Sequence, residues 1–235
     1  MKTKFISLTS LILCSLIFSS CTNINNGEGG EDGETKKDPN VNWSLFEESK
    51  QDEFFDYAVK TGVKISFTST TLPASLPVGF GALKGDHAWS NTGSLNFGYI
   101  RSREENATYT YQYNVNNNTY IGDSQRYELS VFKSAGFLKS FNYFYEATKT
   151  SKQEGFKFVK RDTFLDRSVD VYKYDQDLGN VVISKTFYVE QTYGLTLYYK
   201  ETSTKTSEAE KTIAETTVTE ILKGDDVITP TIALH

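Results

Sequence analysis

The 235-residue chain has little cysteine, histidine, proline or methionine, and each shortage removes a class of explanation. Cys14 and Cys21 are its only thiols, so no disulfide framework and no thiolate metal centre can organise the fold. His87 and His235 are its only histidines, and a Ser-His-Asp or Cys-His arrangement would rest wholly on His87. No Gly-x-Ser-x-Gly elbow is present. The glycines of Gly79-Phe-Gly81-Ala-Leu-Lys-Gly85 are spaced wrongly for a phosphate cradle. Asp175-Gln-Asp177-Leu-Gly-Asn180 opens like a calcium loop but has Thr186 where the closing glutamate belongs, so it reads as a hairpin turn. The chain is therefore read as non-enzymatic, with no cofactor and no metal. Its net charge of −5 argues against nucleic acid as a partner.

Long apolar runs are also missing. The longest uncharged, mainly apolar stretch is the 14 residues from Phe5 to Phe18, short of the ~20 that cross a bilayer. Lys2 and Lys4 precede it and Ser19-Ser20-Cys21 follows it, which is the layout of a secretory signal. An ending of two small residues and a cysteine resembles the bacterial lipoprotein signal, in which the cysteine is acylated and becomes the first mature residue. Phe18 departs from the aliphatic residue usual three places before that cysteine. The resemblance implies that residues 1–20 are removed and that Cys21 carries lipid. The product would be exported and held on the extracytoplasmic side of the cell envelope by a membrane anchor, since two acyl chains hold where one is marginal. Loss of Lys2 and Lys4 leaves 23 basic against 30 acidic residues, a net −7, so attachment to anionic lipid would come from the acyl chains and not from surface charge.

Residues 21–42 carry four glycines, several acids and almost nothing to bury, which predicts a disordered tether spanning roughly 25 Å. The remaining residues, 43–235, are enough for one domain with a covered core. Ser44-Leu-Phe-Glu47 matches a capping box, and Phe54, Phe55, Ala58 and Val59 recur at helical spacing before Gly62, predicting a helix over Ser44 to Lys60. Phe137, Leu138, Phe141, Phe144, Tyr145 and Thr148 predict a second helix over Ser134 to Gln153. Elsewhere the period is two. Val63, Ile65 and Phe67, then Leu95, Phe97 and Tyr99, then Tyr109, Tyr111 and Tyr113 read as strands, with Leu72 to Gly85 as a long loop after the first of them. From Phe156 to Leu222 short turns join strands into an antiparallel meander.

That meander carries the chain's second resemblance. Phe164-Leu-Asp-Arg-Ser-Val-Asp-Val-Tyr-Lys-Tyr174, then Lys185-Thr-Phe-Tyr-Val-Glu190 and Tyr193-Gly-Leu-Thr-Leu-Tyr-Tyr-Lys200, resemble the C-terminal half of the lipoprotein-carrier superfamily. That superfamily includes the LolA, LolB and LppX-type proteins and the N-terminal domain of RseB-type sensors. It implies an α+β, mainly antiparallel fold: a strongly curved, unclosed half-barrel with two helices on its concave side. It also implies that the functional surface is an apolar cavity for a lipid or other hydrophobic ligand, for carriage or sensing.

The residues themselves lead to a compatible expectation. With 33 aromatic residues, a curved sheet with an apolar inner face leaves a gap for a helix, for side chains or for a ligand. Phe67, Leu95, Phe97, Val169, Val171, Phe187, Val189, Leu195 and Leu197 are expected to face inward, with Phe141 and Phe144 at the seam between helix and sheet. Tyr109, Tyr111, Tyr113, Tyr172, Tyr174, Tyr198 and Tyr199 are ambiguous between the two faces, because tyrosine tolerates a half-wet surface. The alternative is a surface lipoprotein that binds an envelope protein or another macromolecule through an aromatic-rich outer face.

Overall fold

The computed structural model describes residues 37–231, apart from 93–95, 115–118, 135–140, 142, 152 and 207. The lipidation candidate Cys21, Leu95 and His235 lie outside the described residues.

Among the described residues eleven strands form one sheet in which every neighbouring pair is antiparallel. They are β1 (Val63–Ser69), β2 (Gly79–Lys84), β3 (His87–Asn91), β4 (Asn96–Ser102), β5 (Ala107–Asn114), β6 (Thr119–Glu128), β7 (Phe156–Phe164), β8 (Arg167–Asp177), β9 (Val181–Glu190), β10 (Thr196–Lys205) and β11 (Lys211–Lys223). Their order is β6-β5-β4-β3-β2-β1-β11-β10-β9-β8-β7, so the first and last strands pair in the middle while β6 and β7 stand at opposite edges. The sheet does not close. It is the curved half-barrel that the sequence predicts.

The expected long loop is shorter than predicted. Its second half, Gly79 to Lys84, is strand β2, and His87 opens β3 instead of sitting in a loop. The expected first helix is interrupted. Trp43–Phe46 form a 3₁₀ turn, Glu47 is extended, and α1 runs Glu48–Thr61. No capping box forms: the Ser44 hydroxyl is taken up by Asn42 Oδ1 at 2.7 Å. Gly62 ends α1 as expected, at φ +86° with its N–H donating to Ala58 O. Of the expected second helix over Ser134 to Gln153, residues 135–140, 142 and 152 lie outside the described residues; the described ones give the turn α2 (Val131–Ser134) and the helix α3 (Tyr143–Thr150). Specific contacts begin ahead of the expected boundary at Trp43. Asp38 accepts the N–H of Phe158 on the edge strand β7, and hydrogen bonds led by the Asn40 N–H hold its carboxyl below the usual carboxylate range.

Directly paired residues share a face, so the register divides the sheet's side chains into two sets. Ile65, Phe67, Leu83, Tyr99, Phe187, Tyr172 and Tyr199 occupy the inner face, which the helical segments cover. On the outer face the paired row Ala82, Trp89, Gly98 and Tyr111 builds a separate small core, capped by Val227 after the last strand. Lys84 fastens that cap, its Nζ donating to the carbonyls of Gly224 (2.8 Å) and Val227 (2.9 Å).

Gly98 makes this outer core possible. A Cβ there would stand 2.0 Å from Tyr111 Cζ, so the ring crosses β4 only because the position lacks a side chain. Gly98→Ala is expected to destabilise the domain by about 1–3 kcal/mol through overpacking, as measured by urea denaturation. A midpoint equal to wild type would show that the ring has room to move.

Candidate functional site

The inner face is the candidate site, and its cover is set by connectivity. Because β6 and β7 are opposite edges, residues 129–155 must carry the chain from one edge of the sheet to the other. Their described parts are α2, Phe141 and α3, and each contributes an aromatic or small residue to the buried interior. Phe132 of α2 meets Phe55 of α1 edge to face at 6.0 Å, and the Arg101 guanidinium lies 4.7 Å over the Phe132 ring. Phe141 meets Phe67 of β1 at 5.6 Å and 82°. Ala147 of α3 lies in the cluster of Phe156, Tyr172, Phe187 and Tyr199.

The expected residues fall into two packing clusters. Phe67, Phe141, Val169, Leu195 and Leu197 are buried in one cluster together with Phe54 and Phe55 of α1. Phe187 and Val189 belong to the other, under the 3₁₀ turn Trp43–Phe46 and α3. Phe97 is half-buried on β4, and its register with Ser90 and Gln112 keeps it on the inner face. The side chain of Phe144 lies outside the described part of α3.

The placement of Val169 and Val171 differs from expectation. Tyr172 is paired with Phe187 and Asp170 with Val189, so the inner positions of β8 are the even ones, and the two valines occupy the other face. Val169 is nonetheless fully buried. Val171 instead joins an outer row, paired with Tyr188, which meets Tyr198 at 5.1 Å and Phe164 at 5.9 Å. Most of the ambiguous tyrosines are inside: Tyr111, Tyr172, Tyr174 and Tyr199 are buried, while Tyr109 and Tyr198 are half-buried.

Sequence reasoning missed the polar centre of the inner face. Asp170 is only 4% exposed, and its carboxylate accepts from Tyr172 Oη at 3.2 Å and from Gln191 Nε2 at 2.7 Å, with Arg161 Nε at 3.5 Å. Tyr172 Oη in turn accepts the Asn42 N–H at 3.4 Å. The group fixes the Asn42 approach to the 3₁₀ turn on β8. Its signal in the sequence was an aspartate interrupting an apolar alternation, which periodicity alone reads as outward-facing.

The site therefore belongs to an open antiparallel half-barrel whose concave face is crossed by a segmented, aromatic helical cover. Among solved structures the chain is similar to the lipoprotein LppX of Mycobacterium tuberculosis, at 9% identity and a TM-score of 0.32 over 76% of this chain and 95% of that one. It is similar to LprF of Mycobacterium bovis, at 9% identity and a TM-score of 0.31 over 80% and 96%. A putative outer membrane lipoprotein-sorting protein domain from Vibrio parahaemolyticus gives 12% identity and a TM-score of 0.22 over 75% and 92%. These are proteins of the kind that the meander resembles. No protein-family model matches the chain, and no curated protein matches it. With overlaps this low the likeness says nothing about what this chain binds.

Burial, and then the charge of Asp170, push the Tyr172 phenol above the ordinary tyrosine value of 10.0. In the unfolded chain the phenol ionises first as pH rises, so the stability from this group is complete below pH 10.0 and falls as pH rises beyond it. Tyr172→Phe is expected to lose about 1–3 kcal/mol at neutral pH, where a hydrogen bond to a buried carboxylate is removed. Its stability should then fall less steeply than wild type above pH 10.0. Chemical denaturation at a series of pH values reads both effects, and parallel curves would show that Tyr172 titrates normally.

Proposed function

We propose that this is a non-enzymatic envelope lipoprotein that binds a lipid or other apolar ligand between the concave sheet face and its helical cover, for carriage or sensing. The observation that carries the reading is the seam at Phe67 and Phe141, where an aromatic from the edge-to-edge crossing closes on the middle of the sheet. The described helices of the cover, α2 and α3, have little stability of their own, since short helices depend on the surface they rest on. Such a cover can move away from the sheet at small cost and admit an apolar chain to a surface already lined by Ile65, Phe67, Leu83 and Leu197.

Native mass spectrometry on protein purified from its own host is expected to show a bound mass that solvent extraction removes. Phe141→Ala tests the seam directly. In a filled core this change costs about 3–5 kcal/mol. At a ligand seam the loss is smaller and uptake of an apolar fluorescent probe rises. A full-sized loss with no probe binding by either protein would reject the ligand reading. It would favour a macromolecular partner at the outer row of Phe164, Tyr188 and Tyr198, beside which Val159 and Leu165 are exposed.

The anchor is the second part of the proposal and rests on the signal layout ending at Cys21. A fatty-acid analogue fed to the host is expected to label the wild type and to leave Cys21→Ser unlabelled. Equal labelling of the two would remove the lipid anchor from the reading.

A further inference from the structure

The helix α1 buries one stripe, Gln51, Phe54, Phe55 and Ala58, and three of these four are apolar. Gln51 is the exception. It is 6% exposed, and neither Oε1 nor Nε2 has a hydrogen-bond partner among the described residues. A buried amide normally finds partners, because burial without them sacrifices the bonds it made to water. Nothing on the helix itself explains the choice, since Leu or Met fits the same stripe with equal helix propensity.

Its neighbours show what surrounds its position on the helix. One residue on, Asp52 pairs with Lys133 of α2 at 2.7 Å, and four residues on, Phe55 meets Phe132 of α2. Three residues before it, Glu48 lies close enough to act on the charge of Lys149 in α3. Positions 48, 51, 52 and 55 form one line along a helix. Gln51 thus lies on the buried side of α1, between Asp52 and Phe55, which meet α2, and Phe54, which meets Tyr193.

We infer that Gln51 is the polar recognition point of the ligand site, and that it selects an apolar chain ending in a group that is both donor and acceptor, such as a primary amide or an undissociated carboxylic acid. This rests on the apolar-ligand reading above and adds the chemistry of the head group. A carboxamide offers an acceptor and a donor side by side, and an amide or carboxylic acid head returns one of each to close a pair of hydrogen bonds. An ester returns an acceptor only. A carboxylic acid brought to this seam stays protonated more readily than in water, because burial disfavours its charged form.

The inference has a double signature. Delipidated mature protein carrying Gln51→Leu is expected to melt at a higher temperature than wild type, because the unpartnered amide is gone. Wild type is expected to bind palmitamide about tenfold more tightly than methyl palmitate, the effect of one well-made hydrogen bond, and Gln51→Leu is expected to bind the two alike. Displacement of an apolar fluorescent probe measures both affinities, and Gln51→Met serves as a second variant of similar length. A lower melting temperature in both variants, or a preference for the amide that survives substitution, overturns the inference and leaves the apolar-ligand reading standing. Equal binding of the two probes by wild type does the same. No binding of either probe by wild type overturns both together.

Discussion

The pairing of β1 with β11 is the constraint from which the rest follows. The two up-and-down runs, β1 to β6 and β7 to β11, each add strands outward from that central pair. The end of one run and the start of the other are then as far apart as the sheet allows. The single connection between them has to cross the whole face, and it is this crossing, more than any helix propensity, that puts α2, Phe141 and α3 over the concave side. Unfavourable as a long-range closure is, each antiparallel neighbour beyond the central pair is a local hairpin or short connection, which lowers the entropy cost of completing the sheet.

The two faces are stabilised differently. The outer core at Trp89 and Tyr111 is compact and fully determined by register, with Gly98 making room and Lys84 holding the terminal segment in place. The inner face relies on pieces from distant parts of the chain: Val41 and Leu45 before α1, Phe132 and Phe141 in the crossing, and Ala147 in α3. The buried Asp170 with Tyr172, Gln191 and Arg161 is the polar fixture among them. Removing one partner from such a group strands the rest, so it specifies where the Asn42 approach lies as well as adding to stability.

Much of this was legible in the sequence, and the failures have physical causes. Strands with one wet face announced themselves, as Val63, Ile65 and Phe67 did, because alternation is the record of a half-buried surface. Gly79 to Lys84 did not, since Ala82 and Leu83 point to opposite faces and both are buried, one in each core. β8 was read in the wrong phase. Val169 and Val171 look like inner residues and Asp170 looks like an outer one, yet one paired polar side chain reverses the strand, because a shift of a single residue exchanges the faces. The capping box at Ser44 was outcompeted by Asn42, and the resulting break at Glu47 lets the chain lay Leu45 down before α1 begins. Gln51 was hidden for a different reason. A glutamine at a buried helical position carries no periodic signal, and only its lack of partners distinguishes it.

These features together separate the rigid part of the molecule from the part able to respond. The strands from β7 to β10 hold each other through long registers of eight or nine paired positions, and the outer core ties β2 through β5 to the terminal segment. Opening any of these breaks many backbone hydrogen bonds at once. The crossing segment has the opposite character. Its helices are four and eight residues long, and their hold on the sheet is mainly through side chains such as Phe132, Phe141 and Tyr145. Local opening proceeds first where few backbone bonds and few apolar contacts must break together. The described helices of the cover therefore open at lower cost than the paired strands, and beneath them lie the apolar residues Ile65, Phe67, Leu83 and Phe187. In such a fold the contact between short helices and sheet is held by side chains, whereas the contact between strands is held by backbone hydrogen bonds, and that difference is what makes the proposed exchange of one apolar partner for another physically cheap.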